Sequence, residues 1–534
     1  MGPISLDDRV PSRDMLAAWS KHVGRPVGDP EALRRELIKG PTLSAAFSVA
    51  ARRHRSRSAL TLGDTTLTHG DVEEESARVA GLMTAWGVGP GTRLTLLAEP
   101  EMSVVLAYLG ALRVGAVVTL AHPSYTPVEI ARVLLASGAE LAIGTGESLA
   151  RLVDGDPDLP VIGLEPADRE AAADILADRA PINGLQHRVD GGSIAILAFT
   201  SGTTGEPKPV PLSHRNLLAS IRAVMWAWRW RPDDRLVHCL PIAHQHGLGA
   251  VHIALLSGSH AVILPRFDPS RLVAALREEA ATALFSVPAI YDRLLSDIPD
   301  QAASLSRLRL MTSGSAPLPT ELAHRVDRAA GQLPVERYGL TETGLDVSNP
   351  YEGPRIAGTV GIALPGVELV VVDGSGEVLR PGEIGEVLLR GPQVFDGYAG
   401  RGGEAFIGDW FRTGDIGLVE EGSRHLRLVG RSKEVIITGG VNVYPREVEA
   451  ALLAVRGVVD AAVIGVPSGR WGEAVTAFVV ASGVSTEQVR SEVASVLAPF
   501  KRPKQIIALE SIPRTEVGKV RRDLLATSPE IDRH

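Results

Sequence analysis

Ten residues, Phe199-Thr200-Ser201-Gly202-Thr203-Thr204-Gly205-Glu206-Pro207-Lys208, bring two glycines, four hydroxyls and a lysine together. An apolar run of strand length, Ser193 to Phe199, precedes them, and a helical pattern opens at Leu212 with Ser213 as its N-cap. A loop between strand and helix with this composition suits a polyanion. Backbone N–H groups and hydroxyls donate, glycine admits close approach, and the lysine supplies charge. The lysine does not follow a glycine directly and is not followed by Ser or Thr, so this is no P-loop. On composition alone a solvated Ser/Thr/Gly turn reads the same way.

Other constellations lie downstream. Tyr338-Gly339-Leu340-Thr341-Glu342-Thr343-Gly344 closes a predicted strand, and its carboxylate beside a hydroxyl suits Mg2+, which takes oxygen ligands and bridges to phosphates. Trp410-Phe411-Arg412-Thr413-Gly414-Asp415, followed by Gly430-Arg431, offers an acid of the kind that accepts ribose hydroxyls. Pro513-Arg514-Thr515-Glu516-Val517-Gly518-Lys519 offers a cation in a loop. His244 and His246 have no third ligand at zinc-like spacing, so no zinc site is read there. Each motif alone reads equally as a strand-end turn.

In this order the motifs resemble the adenylate-forming superfamily, which includes acyl-CoA synthetases, luciferases and the adenylation domains of peptide synthetases. The likeness runs from residue 41 on. It implies an enzyme that joins a carboxylic acid to AMP from ATP, releases pyrophosphate and passes the acyl group to CoA. By resemblance, Thr200, Ser201, Gly202, Thr203, Thr204, Gly205 and Lys208 wrap the ATP phosphates. Gly314, Ser315, Ala316 and Pro317 line the base, Tyr338 stacks on it, and Arg337 and Gly339 adjoin it. Thr341 meets the α-phosphate, Glu342 holds Mg2+, and Asp415 takes the ribose with help from Arg431. Lys519 bridges the substrate carboxylate and the α-phosphate, where a fixed cation relieves the repulsion of two anions. Lys433 matches the hinge, and Gly439 with Gly440 lets the pantetheine of CoA pass close to the backbone.

Within the superfamily, the stretches around His244-Gln245-His246-Gly247, Pro265-Arg266-Phe267, Ser286-Val287-Pro288, Glu336-Arg337-Tyr338-Gly339 and Ala357-Gly358-Thr359 look most like malonyl-CoA synthetases. That branch implies a small dicarboxylic acid, with His244, Ser286 and Leu340 beside it. Arg266 and Arg337 would hold a second carboxylate, since guanidinium pairs with it bidentately. Structural salt bridges are the other reading of both arginines. Phe199, Pro209 and Val441 depart from the residues frequent at their positions, which leaves the acid and the acceptor open. That acceptor is CoA, or else a carrier protein, an amine or a small inorganic nucleophile.

These loops need a frame, and 534 residues are too many for one core. From Leu67 on, short apolar runs alternate with helix-length periodic segments, the mark of βαβ units. After Pro365 the pattern turns to short alternating strands with tight turns, and from Ser432 to a compact α+β segment. The expected fold class is α/β. A large N-terminal domain of doubly wound sheets with a small antiparallel β subdomain, residues 1–431, precedes a small mobile α+β domain, 432–534. Residues 1–40 read as an irregular arm with short amphipathic pieces. An apolar fraction of 45% and a charged fraction of 22% are those of a soluble globular chain. The longest apolar stretch, Met102 to Ala121, carries Arg113 and Gly115 and reads as helix, turn and strand rather than a membrane span. A single cysteine, Cys239, and no targeting pattern point to the cytoplasm. A net charge of −8 argues against nucleic acid as partner, although the basic C-terminal run suits a phosphorylated ligand. The expected assembly is a monomer or a homodimer.

Overall fold

A computed structural model describes residues 12–164, 189–201, 207–398, 405–438, 441–468, 471–515 and 518–531. Its largest sheet has nine strands. In spatial order they are Ile362–Ala363, Val347–Ser348, Val335–Tyr338, Leu310–Ser313, Ala283–Ser286, Arg235–His238, His260–Ile263, Ser58–Leu62 and Thr65–Thr68. The run from Val335–Tyr338 to Ser58–Leu62 is parallel throughout. The chain steps from Arg235–His238 to His260–Ile263 on one side, then returns to Ala283–Ser286 on the other. A winding that reverses in this way opens a crevice beyond the carboxyl ends of the strands.

A second sheet orders Val161–Gly163, Leu141–Gly144, Arg93–Leu97, Val117–Ala121, Ile194–Ser201 and Pro207–Ser213. The last strand corrects the expectation of a loop running straight into a helix. Pro207–Ser213 pairs antiparallel with Ile194–Ser201 before the helix His214–Ala227 begins at its Ser213 N-cap. Pro207, Pro209 and Pro211 hide this strand from a sequence reading, because proline lacks the ladder N–H. Their alternate spacing puts all three on the side facing away from Ile194–Ser201, at the sheet's border.

The expected antiparallel subdomain pairs Glu368–Val372 with Gly385–Arg390, and that strand with Trp410–Val419, which also pairs with Phe406–Ile407 and Leu426–Arg431. A fourth sheet, Val441–Val443, Ile436–Thr438, Gly472–Ala481, Val458–Ser468 and Gln505–Ala508, starts just after the 3-10 turn Ser432–Glu434. It closes an apolar cluster of its own, with Ile436, Val463, Val475 and Val489 at its centre.

Helix Met102–Val114 is largely apolar and buried from Val104 onward, with Arg113 in its last turn paired to Glu73. Gly115 ends it in the left-handed region (φ +81°) and strand Val117–Ala121 follows, so this stretch is helix, turn and strand. Among the described residues no helix is long and apolar enough to cross a membrane.

The N-terminal arm is the second correction. Its described part forms two capped helices, Arg13–Val23 and Pro30–Leu37, that pack rather than wander. Trp19 is fully buried and its Nε1 donates to the Val367 carbonyl at 2.8 Å. His22 Nε2 lies 3.2 Å from the Ile362 carbonyl, and Arg34 pairs with Glu368. The sequence showed amphipathic pieces, but nothing local announced their partners 340 residues away in the chain.

Candidate active site

The site is built on strand ends. Thr200 and Lys208 face each other across the hairpin ladder, below a tip whose residues Gly202 to Glu206 lie outside the described ones, as do the Ser201 side chain and Gly439 and Gly440. The helix after the hairpin starts with a capping box. Ser213 Oγ accepts from Asn216 N, and the Asn216 side chain accepts from Ser213 N at 3.0 Å. Asn216 Nδ2 also donates to the carbonyls of Pro392 and Val394, which ties the hairpin helix to the antiparallel subdomain.

On the large sheet, Leu310–Ser313 runs out into Gly314-Ser315-Ala316-Pro317. Ser315 adopts a left-handed φ of +65°, uncommon for a residue with a side chain, and its Oγ lies 3.2 Å from His246 Nδ1. A Cβ on Gly314 would stand 2.4 Å from Arg337 Nε, so glycine lets the guanidinium lie against the turn. Arg337 Nε and Nη2, the two donors along one edge of that guanidinium, are out of reach of water and have no hydrogen-bond partner among the described residues. Burial pulls the Arg337 pKa down to about 10. Burial first, then the Arg337 charge, holds the His246 ring well below its ordinary range and so neutral.

The strand Val335–Tyr338 runs into the turn that carries Thr341 and Glu342. A Cβ at Gly339 would meet the Gly344 carbonyl at 1.9 Å, so only glycine closes this turn. Glu342 is buried and held twice from one segment of the antiparallel subdomain. Phe395 N donates to its carbonyl at 2.9 Å, and the Tyr398 hydroxyl donates to its Oε1 at 2.6 Å. Gln245 Nε2 donates to the Thr341 carbonyl at 2.7 Å. Asp415 accepts from the Tyr338 hydroxyl at 2.5 Å and pairs with Arg431 at 2.7 Å. Burial pushes the Asp415 pKa up, against the pull of Arg431 and the Tyr338 hydroxyl.

Lys519 comes to the same place from the C-terminal part of the chain. It sits in a hairpin closed by the Arg514–Val520 bridge, with its own N–H donating to Thr515 Oγ1 at 3.1 Å. Loss of water and the nearby Arg431 pull the Lys519 ammonium down, while Asp415, Glu342 and Glu434 push it back up. These are the groups of a shared site. Lys433 is exposed in the turn Ser432–Glu434 and feels Lys208, Arg431 and Asp415.

The structure thus gathers Lys519, Glu342, Asp415, Arg431 and Tyr338, and sets Arg337 on Gly314 beside them. His244 caps the helix Gln245–Ser257, its ring 5.4 Å from that of His122. Ser286 is buried at a strand end and Leu340 is half-buried. Arg266 stays exposed after His260–Ile263 and does not line the cavity described next. Tyr398, Gln245, Asn216 and Gln393 were missed. Each is a polar residue with a partner far along the chain, and only the Asp396-Gly397 pair before Tyr398 hinted at a turn.

A cavity of about 90 Å3 lies between the helices His214–Ala227 and Gln245–Ser257, with Arg337, His246, Trp228 and Phe285 among its lining residues. Among the described residues there is no group of three or more His, Cys, Asp or Glu side chains able to hold a metal. Mg2+ needs no such group, since one or two carboxylates plus phosphate oxygens and water serve it.

Comparison with known proteins shows the family. The model of the family described as AMP-binding enzyme matches residues 47–399, and that of the AMP-binding enzyme C-terminal domain matches 447–519. A mitochondrial malonate–CoA ligase, ACSF3 of Mus musculus, is 33% identical over 472 residues, 80% of each chain. A feruloyl-CoA synthase from Amycolatopsis is 32% identical over 88% of this chain and 95% of that one. The ATP-bound crystal structure of MatB from Rhodopseudomonas palustris superimposes with a TM-score of 0.84 at 33% identity, covering 90% of this chain and 98% of the other.

Proposed function

The chain belongs to the AMP-binding enzyme family, and from that premise we propose that it is an ATP-dependent acid–CoA ligase acting on a small dicarboxylic acid. A carboxylate oxygen of the acid attacks the α-phosphorus of ATP, the bond to pyrophosphate breaks, and an acyl adenylate forms. The CoA sulfur then attacks the acyl carbon, its proton leaves to solvent, and AMP departs.

The observation that carries this reading is the convergence of Lys519 with Glu342, Asp415 and Arg431. Asp415 keeps lone pairs for ribose hydroxyls even while it accepts from Tyr338 and Arg431, since a carboxylate has about four such sites. Lys519 stands where two anions must approach, and a cation already in place there needs no reorganisation as charge develops. The turn that carries Thr341 and Glu342 is held by Gln245, Phe395 and Tyr398, which supports a fixed geometry for oxygens that would meet the phosphates. Mg2+ would be held by Glu342 together with phosphate oxygens, and would neutralise charge on the departing pyrophosphate. The buried, unpartnered Nε and Nη2 of Arg337 support the second carboxylate, because a buried guanidinium without a counter-ion is costly unless a ligand supplies one.

Residues 432–534 form the second domain in this reading and Lys433 its hinge. The fourth sheet begins only after the turn Ser432–Glu434, which supports that boundary. The test is acid-dependent pyrophosphate release, with and without CoA. Lys519→Ala should lower the adenylation rate by roughly 10² to 10³-fold, and an undiminished rate would refute the assignment.

A further inference from the structure

The basic C-terminal run engages much of its charge within the protein. Lys501 pairs with Glu447, Arg514 with Asp460, Arg521 with Asp523 and Arg522 with Glu449. Arg522 differs from the other three in what it joins. Its Nη2 donates to Glu449 Oε1 at 2.7 Å, its Nε to the Val463 carbonyl at 3.4 Å, and its Nη1 lies 3.7 Å from Glu434 Oε2. Glu449 sits on the helix Pro445–Leu453, and its Oε1 also accepts from Val463 N at 3.0 Å, so this carboxylate is fixed from two sides. Burial pushes the Glu449 pKa up and the Arg522 charge pulls it back. Glu434 lies elsewhere, in the 3-10 turn Ser432–Glu434, directly after Lys433. Arg522 itself follows the lysine hairpin, whose base Arg521 N closes by donating to the Pro513 carbonyl at 2.8 Å. One guanidinium therefore spans the root of the Lys519 loop, the body of the fourth sheet and the turn at which that sheet begins. An ammonium is a single point charge, whereas the planar fork of arginine aims separate donors at two carboxylates and a carbonyl. The Arg522, Glu449 and Glu434 side chains are 23%, 15% and 32% exposed, which makes this an ordered cluster rather than a freely solvated pair. Glu434 also faces the site: against the loss of water that pulls the Lys519 ammonium down, its charge is among those that push it up.

We infer that Arg522 is a positioning residue for adenylation: by fixing Glu434 to the small domain it confines the bend to Lys433, and so sets where the Lys519 loop arrives at the site. A hinge delivers a side chain to one place only when the residues next to it belong firmly to one body or the other. The inference rests on the adenylating reading and on the hinge at Lys433, and it adds the group that makes that hinge sharp.

Purified full-length enzyme is assayed for pyrophosphate release with the most active of malonate, hexanoate and benzoate. Arg522→Gln should lower kcat by roughly tenfold, as expected when a reacting group is misplaced from a distance. KM for ATP should change little, since the proposed nucleotide groups other than Lys519 lie before residue 432. Arg522→Lys, which keeps a cation but not the fork, should fall between the two, with each variant's melting temperature checked against wild type. The decisive comparison is made in a Lys519→Ala background. If Arg522 acts through the lysine, Arg522→Gln should there cost nothing further. A loss as large as in wild type overturns the proposal, because Arg522 would then serve the fold alone. Hydrogen exchange of the ligand-free protein gives a readout that needs no substrate. Arg522→Gln should speed exchange over residues 432–438 as well as over 519–526. Faster exchange confined to 519–526 overturns the anchor. If no acid releases pyrophosphate the ligase reading falls, and exchange still decides the anchor: faster at 432–438 supports it, unchanged there overturns it.

Discussion

Two carboxyls show how single residues are tuned here. Glu342 owes its orientation to the Tyr398 hydroxyl, whose pKa is raised by burial and by the Glu342 charge, so that it stays a donor. Groups that orient a metal ligand typically matter to affinity by roughly 10- to 100-fold. Tyr398→Phe should weaken Mn2+ binding to the ATP complex by a factor in that range, read by electron paramagnetic resonance, with little change in melting temperature. Glu336 is buried, its carboxyl accepts from Leu318 N at 3.2 Å, and burial raises its pKa to about 8. A carboxyl raised in this way holds its proton in the folded protein after the unfolded chain has lost its own. Its contribution to stability is therefore full at low pH and fades between the ordinary carboxylate range and about pH 8. Unfolding midpoints across that window should slope downward in wild type, by at most ~1.4 kcal/mol per pH unit for one proton. In Glu336→Gln, which keeps the acceptor for Leu318, this part of the slope should vanish.

At the scale of elements, legibility followed the range of the interaction. The stretch Met102 to Ala121 was readable as helix, turn and strand because its apolar run and its left-handed glycine end at Gly115 are local. The parallel strands of the large sheet from Arg235–His238 to Val335–Tyr338 were readable because each is a short apolar run between turns, whereas Ser58–Leu62 was not singled out. The border strand Pro207–Ser213 was not, since its proline spacing makes sense only once a neighbour is known. The N-terminal helices were visible as amphipathic pieces but not as a clasp on Val367 and Glu368. In the site, the motif residues were legible by order and resemblance, whereas Tyr398, Gln393 and Asn216 act through contacts that cross the chain. The clasp carries its own prediction. Trp19 fills a fully buried place and bonds Val367, so Trp19→Ala should destabilise the large domain by roughly 3–5 kcal/mol, seen as a lower urea midpoint. A change within a few tenths would mean that the two helices are ornamental to the fold.

For the molecule as a whole, the proposed chemistry joins groups from distant parts of the chain: Glu342 from a strand end of the large sheet, Asp415 and Arg431 from the antiparallel subdomain, and Lys519 from beyond residue 432. No single part holds a complete site. The border strand Pro207–Ser213 bears on a different matter, the conduct of many copies in a crowded solution. Its outward face offers carbonyls but, at Pro207, Pro209 and Pro211, no N–H groups to answer those of another chain. A margin that can accept and not donate is a poor template for strand addition, and so guards against clumping. Restoring the donors with Pro209→Val and Pro211→Val should make light scattering rise with protein concentration where wild type stays flat. In that sense three residues of one border strand serve the sociability of the molecule, keeping a sheet margin from becoming the edge by which it self-associates.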